Sequence, residues 1–410
     1  MLDDADEGEI DGPGLPPLSP LTYLLRTHAC MVAGEAIMAV ALADSVFLSI
    51  SPNDARPKVI FFLLFSVVPF TVVARFIGPL IERVNGGQRA VMFGVALLRA
   101  VLMVGMVSSI KSLALFPLAF GALVLSKTYS ISKSATVPAV VRGDARLVEA
   151  NSKLAKVAGI IGFVIGVPAY LLQMVSTSLT LYAGAFVFLV AAFQAWHLPR
   201  SRTEKSPDPA LEYGELHSPA VLRAAHTMRF LRGAVGFMFF HLAFWLRSEI
   251  AGTAWFALAV ALGNLSILAA NWTAPWVREH MRTSTMLTAS LGAVAVGGIG
   301  AGISGVFIAG VLLTAVVNAA AAIGRVAFES TVQSDAPDAR KAGAFARFET
   351  HNQLAWVVGG IVPVILKLDG HTGSWCIGIL GAAGMAVMLR RRTVTAPRSG
   401  RATDPGRPAR

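Results

Sequence analysis

The chain has 410 residues, of which 55% are hydrophobic and only 14% are charged, and its mean hydropathy is +0.63. A soluble domain usually carries about a quarter charged residues, so an ordinary soluble enzyme, a disordered protein and a coiled coil are excluded. Cys30 and Cys376 are too few and too far apart for a disulfide scaffold, a zinc site or a redox pair. The net charge of +11 comes from basic residues that lie between apolar blocks, which indicates membrane topology rather than nucleic-acid binding.

The first twenty residues contain six carboxylates and no lysine or arginine. A secretory signal peptide starts with a basic region. The sequence therefore predicts no cleavable signal here, but a disordered acidic tail at residues 1–20 on the cytoplasmic side.

Twelve apolar blocks follow, each close to the ~20 residues that a helix needs to cross the hydrocarbon core of a bilayer. The blocks are 22–48, 58–80, 89–109, 113–138, 154–173, 179–197, 227–246, 250–276, 284–302, 304–327, 345–366 and 373–390. Membrane barrels alternate polar and apolar residues in segments of ~10 residues, whereas these blocks are continuously apolar. The sequence therefore predicts an all-α membrane protein with twelve transmembrane helices.

The longest polar stretch between blocks, 199–219, divides the chain into two groups of six blocks. We expect an N-terminal six-helix bundle at 21–198, a cytoplasmic linker at 199–219 and a C-terminal six-helix bundle at 220–391. A basic, disordered tail is expected at 392–410.

Lysine and arginine are distributed unequally between the two sets of connections. One set, together with the C-terminal tail, contains Arg83, Arg89, Arg142, Arg146, Lys153, Lys156, Arg200, Arg202, Lys205, Arg223, Arg278, Arg282, Arg340 and Lys341. The other set contains only Arg56, Lys58, Lys111, Arg247 and Lys367. Because basic loops stay in the cytoplasm, we expect both termini on the cytoplasmic side of the membrane.

The two halves can be aligned with each other in one order. Gly78–Arg83 falls on Ala274–Glu279, Thr136 falls on Thr331, and Pro168 falls on Pro363. Two six-helix halves repeated in parallel are typical of transporters, whose substrate site lies between the halves near the middle of the membrane.

The loop after the second block reads Gly-Pro-Leu-Ile-Glu-Arg-Val-Asn-Gly-Gly-Gln-Arg from Gly78 to Arg89. It resembles the cytoplasmic Gly-x-x-x-Asp-Arg-x-Gly-Arg-Arg signature of the major facilitator superfamily, with Glu82 in place of the aspartate and one extra residue before the glycines. A tight turn favours glycine, and an acid beside arginines can hold helix ends in one conformer. The resemblance thus implies a conformational loop made of Gly78, Glu82, Arg83, Gly86, Gly87 and Arg89.

The stretches 98–100, 135–141 and 147–152 resemble bacterial exporter-like members of this superfamily, and 159–168 resembles its antiporter glycine-proline signature. The pair Gly162 and Gly166 is alternatively a site of close helix packing. The resemblance covers nearly the whole chain and implies two six-helix repeats that transport a small molecule.

Three ionisable residues share one depth near the middle of the membrane. At a rise of 1.5 Å per residue, Glu35 lies ~20 Å along the first block, and Arg99 and Lys127 lie ~15 Å from the cytoplasmic ends of theirs. A charge in hydrocarbon costs at least ~2.5–3.5 kcal/mol, so each needs a partner or a task. We expect Glu35 to carry a proton and Lys127 to be its partner; the alternative is a fixed ion pair. Arg99 and Asp44 are further candidates for proton coupling.

Other polar residues in the blocks are candidates for a cavity or a gate. Arg325 and Glu329 are spaced to pair along one helix or to form a gate with the fourth block. Arg347, Glu349 and His351 are expected at the level of the lipid headgroups. The candidates for lining a polar cavity are Tyr129, Ser130, Ser134, His241, Asn264 and Asn318.

The segment Gly300–Gly305 fits Gly-x-Gly-x-x-Gly, but no strand precedes it and no βαβ unit surrounds it, so it predicts no dinucleotide site. We find no phosphate-binding loop and no metal or hydrolase motif. This favours a secondary transporter rather than an enzyme, without cofactor or metal. The resemblance to bacterial exporter-like members implies a protein of the bacterial inner membrane that exports a small amphipathic or lipophilic molecule, and the buried acid Glu35 suggests exchange for protons. It is expected to contact lipids, to bind no nucleic acid and to act as a monomer. The alternatives are an importer or lipid-moving protein of the same fold, and a membrane receptor or scaffold that does not transport.

Overall fold

The computed structural model describes residues 19–43, 63, 67, 87–110, 112, 114–141, 144–199, 209–246, 252–336 and 341–394. Twelve helices occupy these ranges, and all except α6 have 20 residues or more. They are α1 (Pro20–Ala43), α2 (Gly87–Ser109), α3 (Leu115–Val140), α4 (Asp144–Val175), α5 (Thr177–Trp196), α6 (Pro209–Leu216), α7 (Pro219–Trp245), α8 (Gly252–His280), α9 (Thr283–Ser304), α10 (Phe307–Asp335), α11 (Lys341–Leu366) and α12 (Gly370–Val394).

Eleven of the twelve predicted spans coincide with long helices in the described residues, and the second predicted span, 58–80, lies outside them except for Leu63 and Val67. Eight helices (α1, α2, α4, α5, α8, α9, α10 and α12) are long and apolar enough to cross a membrane. The other three long helices, α3, α7 and α11, carry Lys127, Lys133, Arg232 and Glu349, four of the charged residues of the site described below. The predicted break between the ninth and tenth spans is correct, because Gly305, with φ 61°, ends α9 in a left-handed conformation that favours glycine.

The helix packing repeats between the two halves of the chain. In the first half α2 packs on α5 and α3, and α1 packs on α4 and α5. In the second half α9 packs on α12 and α10, and α7 packs on α11 and α12. One hydrophobic core is built from residues 24–198 and another from residues 221–388, which Val124, Ile131 and Ala135 of α3 join from the first half. Helix α3 therefore belongs to the contact between the halves.

Aromatic contacts identify which helix ends share one side of the bundle. Tyr23 at the start of α1 stacks on His197 just after α5, and the guanidinium group of Arg89 at the start of α2 lies 4.4 Å from the ring centroid of Trp196. We call this side the basic end; chain order places there the starts of α1, α2, α4, α7, α9 and α11. Arg146, Arg223 and Arg282 also lie at these helix starts.

Large apolar side chains cover the outside of the bundle. Phe163 on α4 is 81% exposed, and Met174, Val175 and Phe186 are also exposed. An exposed apolar surface of this extent fits contact with lipid tails rather than water. Trp272 and Trp276, exposed near the end of α8, have the position expected for an aromatic belt at the membrane interface.

The short helix α6 lies within the segment that the sequence predicts as a linker. Its Glu212 pairs with Arg347 of α11 at 3.6 Å, and its Leu216 packs with Ala336, Ala344 and Phe348. Arg347 was expected at the headgroup level, and its partner is instead this linker helix.

Glycines bring two pairs of helices into backbone contact. A Cβ atom on Gly236 of α7 would collide with the backbone of Trp356 on α11, and one on Gly298 of α9 would collide with Gly378 of α12. The glycine pair predicted from the sequence makes no such contact. A Cβ atom on Gly166 would meet open space, and one on Gly162 would have only a side-chain atom of Val32 nearby, at 3.8 Å. The expectation of close packing at Gly162 and Gly166 was therefore wrong, and the close approaches lie in the second half.

Candidate functional site

The carboxylate of Glu35 on α1 is the centre of a polar contact inside the first half. Its Oε1 atom accepts a hydrogen bond from Nη1 of Arg99 at 2.6 Å and another from Oγ of Ser126 at 2.7 Å. These residues lie on α1, α2 and α3. Because their side chains are in direct contact, Glu35 and Arg99 lie at the same depth, as the sequence predicts.

The two partners of this ion pair differ in exposure. Arg99 is 1% exposed, whereas the Glu35 side chain is 36% exposed, and the Arg99 guanidinium carbon lies 4.3 Å from the ring centroid of Phe188. The cation is therefore fixed by packing, while the carboxylate keeps access to open space.

Lys127, the expected partner of Glu35, interacts electrostatically with Glu35 and with Glu349 of α11. The hydrogen-bonded ion pair of Glu35 is with Arg99. Glu349 was expected at the headgroup level, but α11 begins at Lys341 and carries Glu349 into the interior, where Asn352 donates a hydrogen bond to it. Lys127 thus links the carboxylates of the two halves.

His28 and Tyr129 form a buried pair next to Glu35. Nδ1 of His28 and the hydroxyl of Tyr129 are 3.1 Å apart, and the two rings stack. Tyr129 was expected to line a cavity, but it is buried against α1. Its role in the structure is to join α1 and α3.

In the second half, Arg325 and Glu329 form the ion pair along α10 that their spacing predicts. Nε of Arg325 donates to Oε1 of Glu329 at 2.9 Å. Arg325 also interacts electrostatically with Glu349, as does Arg232 of α7. Lys133 of α3 interacts with Glu329 and so connects this group to the first half.

We call these groups together the central charge cluster. Its cations are Arg99, Lys127, Lys133, Arg232 and Arg325, and its carboxylates are Glu35, Glu329 and Glu349. Arg232, Arg325 and Glu349 are half-buried. Charged side chains within a membrane protein face its interior or a water-filled space. The cluster lies where α3 of the first half meets α10 and α11 of the second half.

Uncharged polar groups join the two halves at the basic end. Nδ2 of Asn151 on α4 donates to Oε1 of Gln333 at 2.8 Å and to Oγ of Ser330 at 3.2 Å. Nε2 of Gln333 donates to the carbonyl oxygen of Ser134 on α3 at 2.9 Å. We call these four residues the amide clasp. The clasp joins the two halves at the basic end, where Val148, Ala274 and Val326 also pack together.

We expect Asn151→Ala to weaken the closure of the basic end. The variant loses two hydrogen bonds, each of which contributes roughly 0.5–1.5 kcal/mol, so the closed population should fall several-fold. The measurement is the yield of a disulfide between V148C and V326C, after Cys30 and Cys376 have been replaced by serine. Asn264→Ala is the matched control, because Asn264 bonds only to the carbonyl of Val260 in its own helix. An equal loss of cross-linking in both variants would contradict the clasp.

The other four residues predicted to line a polar cavity lie in different surroundings. His241 is 3% exposed and stacks on Trp245, so it belongs to the core between α7 and α12. Asn264 and Asn318 donate to carbonyl groups of their own helices. Ser130 is half-buried on α3. The sequence analysis proposed that all four line a polar cavity, and none of them belongs to the central charge cluster or the amide clasp.

Of the predicted conformational loop, Gly78, Glu82, Arg83 and Gly86 lie outside the described residues, as does Asp44. Gly87 has φ 60°, the left-handed conformation that a tight turn takes from glycine. Arg89 stacks on Trp196. In the parts of the chain that the structure describes, no group of three or more His, Cys, Asp or Glu side chains is arranged to hold a metal ion.

Sequence reasoning assigned seven residues of the site no role: His28, Ser126, Lys133, Asn151, Arg232, Ser330 and Gln333. It placed Glu349 at the level of the lipid headgroups. Each is a polar residue in or beside an apolar block, which was the available signal. Five of the seven, His28, Ser126, Asn151, Ser330 and Gln333, are neutral and so did not draw attention as charges do.

The structure is similar to solved structures of transporters. A bacterial homologue of the iron transporter ferroportin in an outward-facing state superposes with a TM-score of 0.69 and 14% identity, covering 92% of this chain and 100% of that one. The major facilitator superfamily transporter FucP in the outward conformation gives 0.68 and 11% over 91% of this chain and 98% of that one. The human organic anion transporter MFSD10 (TETRAN) gives 0.66 and 12% over 90% and 98%.

The chain therefore has the major facilitator superfamily fold, a multi-pass membrane architecture of twelve transmembrane helices in two six-helix repeats, and the predicted fold class is confirmed. No family model matches the sequence. Uncharacterized protein Rv0876c of Mycobacterium tuberculosis is 31% identical, covering 93% of this chain and 75% of that protein. Uncharacterized protein ML2143 of Mycobacterium leprae is 29% identical, covering 93% and 72%. The chain belongs to the family of these mycobacterial proteins.

Proposed function

We propose that the protein is a secondary transporter that moves a small molecule across the membrane by alternating access. The observation that carries the proposal is the fold that the chain shares with solved transporters, inside which both halves contribute side chains to the central charge cluster. We propose that the cluster faces a water-filled cavity between the halves. The amide clasp closes that cavity at one end. Rocking of the halves about the cluster would break the clasp and open the cavity to the other side.

The Glu35–Arg99 pair supplies a route for proton coupling. Arg99 is fixed by packing, and Glu35 is partly exposed. A movement of α1 against α2 that lengthens this contact removes the cation that favours the ionised carboxylate, so Glu35 takes up a proton; re-forming the contact releases it. If the two events face opposite sides of the membrane, one proton crosses in each cycle.

The proposal also covers the direction of transport, the substrate and the membrane in which the protein lies. The basic end corresponds to the connections rich in lysine and arginine, which supports a cytoplasmic location of that end in a bacterial inner membrane. Export of a small amphipathic or lipophilic molecule rests on the resemblance of 98–100, 135–141 and 147–152 to exporter-like proteins. We also propose that the protein acts as a monomer. An importer or lipid-moving protein of the same fold is the alternative, and everted vesicles with opposed gradients discriminate between the two directions.

Exchange across a bilayer tests transport itself. Purified full-length protein is screened for compounds that raise its melting temperature, since a ligand that binds the folded state stabilises it. Proteoliposomes loaded with such a compound should then take up its labelled form faster than empty ones. Binding without this acceleration would indicate a receptor or scaffold and would overturn the proposal.

A further inference from the structure

A cavity of about 400 Å³ lies at the basic end of the second half, where α7, α8, α9, α10 and α12 meet. Three arginines line it: Arg223 near the start of α7, Arg278 near the end of α8, and Arg282 immediately before α9. One carboxylate, that of Asp335 at the end of α10, is among the described lining residues. None of these residues belongs to the central charge cluster or the amide clasp, so the cavity is a separate feature.

The three arginines have few partners within the described part of the chain. None of them forms an ion pair there, and Asp335 instead accepts a hydrogen bond from Ser334 at 2.8 Å. Nη1 of Arg278 donates to the carbonyl oxygen of Met281 at 3.4 Å, and its Nε atom is buried without a hydrogen-bond partner among the described residues. Each guanidinium group carries five N–H donors, so most of these donors remain available to a ligand.

The start of α9 borders the same cavity. Arg282 is the N-cap residue and its side chain makes no capping hydrogen bond, while Thr283 and Ser284 of the first turn line the cavity. The first amide groups of a helix have no partner within the helix and attract anions. An uncapped helix start and three guanidinium groups therefore surround one space, which favours an anionic ligand.

The depth of the cavity indicates where such an anion comes from. Trp276, exposed near the end of α8, has the position of an aromatic-belt residue, whose ring lies at the level of the lipid headgroups. Arg278 follows it by two residues, which is ~3 Å along the helix axis. The arginines thus lie at the level of the phosphate groups of the surrounding lipid.

We propose that this cavity binds a phosphate group, and that the headgroup of an anionic phospholipid supplies it. Arginine binds phosphate oxygens through two parallel hydrogen bonds, and basic pockets between transmembrane helices bind such headgroups. A soluble phosphate is the other source of the same chemistry. A phosphate held between the ends of α7, α8 and α9 would stabilise the second half, whether or not the protein transports a substrate.

The test follows the melting temperature of the full-length protein in mild detergent with dioctanoyl phosphatidylglycerol, dioctanoylglycerol or sodium phosphate added at one ionic strength. We expect phosphatidylglycerol to raise it, because a ligand that binds the folded state stabilises it. Dioctanoylglycerol has the same chains without the phosphate and should leave it unchanged. Stabilisation by sodium phosphate but not by phosphatidylglycerol would uphold the phosphate site and refute the lipid as its ligand.

Substitutions in the cavity locate the binding. In Arg278→Gln the apparent affinity for phosphatidylglycerol should fall about fivefold, the effect of one basic residue on binding to anionic lipid. Arg282→Gln, at an exposed position, is the second variant if Arg278→Gln does not fold. Arg146→Gln is the matched control, because Arg146 is an exposed arginine near the start of α4 at the basic end and does not line the cavity.

Two results would overturn the inference. One is equal stabilisation of the unmodified protein by phosphatidylglycerol and dioctanoylglycerol, without stabilisation by sodium phosphate. The other is an equal loss of affinity in the cavity variants and in Arg146→Gln, which would show that the lipid responds to the general positive charge of the basic end.

Discussion

Glu35→Gln should abolish accumulation driven by a pH gradient while leaving exchange at equal pH intact. Glutamine keeps the size of the side chain and can still accept hydrogen bonds from Arg99 and Ser126, but it cannot carry a proton. The measurement uses proteoliposomes with an imposed pH gradient and a labelled compound that the protein exchanges. Exchange then reports the conformational cycle, and accumulation reports coupling.

Glu149→Gln is the matched control for this change. Glu149 lies on α4 at the basic end, paired with Lys153 at 2.7 Å, and both side chains are about half exposed. We expect this variant to accumulate substrate like the unmodified protein. If Glu35→Gln also retains gradient-driven accumulation, the Glu35–Arg99 contact is a fixed ion pair and proton coupling at this position is refuted.

Gly236→Val should prevent the second half from folding into a stable bundle. The side chain would have to fit where α7 and α11 are in backbone contact, since even a Cβ atom at Gly236 collides with the carbonyl of Trp356. Overpacking typically costs roughly 1–3 kcal/mol when side chains can yield, and backbone atoms yield less. The expected result is a large loss of monodisperse protein in size-exclusion chromatography and a lower melting temperature.

The control for this variant is Gly166→Val on α4. A side chain there would meet open space, so valine should be tolerated with little change in melting temperature. Equal damage from both substitutions would show that valine harms these helices for a reason other than close packing.

The parts of the fold that the sequence predicts correctly depend on local pattern. Continuous apolar runs define the spans, Gly305 marks the break between α9 and α10, and the i,i+4 spacing of Arg325 and Glu329 predicts their ion pair. These features need only neighbouring residues. The helical rise likewise gives the depth of a residue in the membrane, which is why Glu35 and Arg99 were placed at one level.

Which residue a charged side chain pairs with depends on the direction in which each helix faces. The depth of a residue in the membrane does not give that direction. Glu35 lies near both Arg99 and Lys127 in depth, and only the packing of α1 on α2 and α3 selects Arg99 for the hydrogen-bonded ion pair. Glu349 was placed too close to the surface because α11 begins four residues before the apolar run at 345. The close glycines Gly236 and Gly298 were missed because their partners lie far away in the sequence.

The amide clasp contains only neutral donors and acceptors, namely Asn151, Gln333, Ser330 and the carbonyl of Ser134. Screening by dissolved ions weakens attraction between charges and has little effect on hydrogen bonds between neutral groups. Ionic strength and transmembrane voltage should therefore change the affinity for a substrate bound at the charged residues. The population of molecules whose basic end is closed should stay nearly constant.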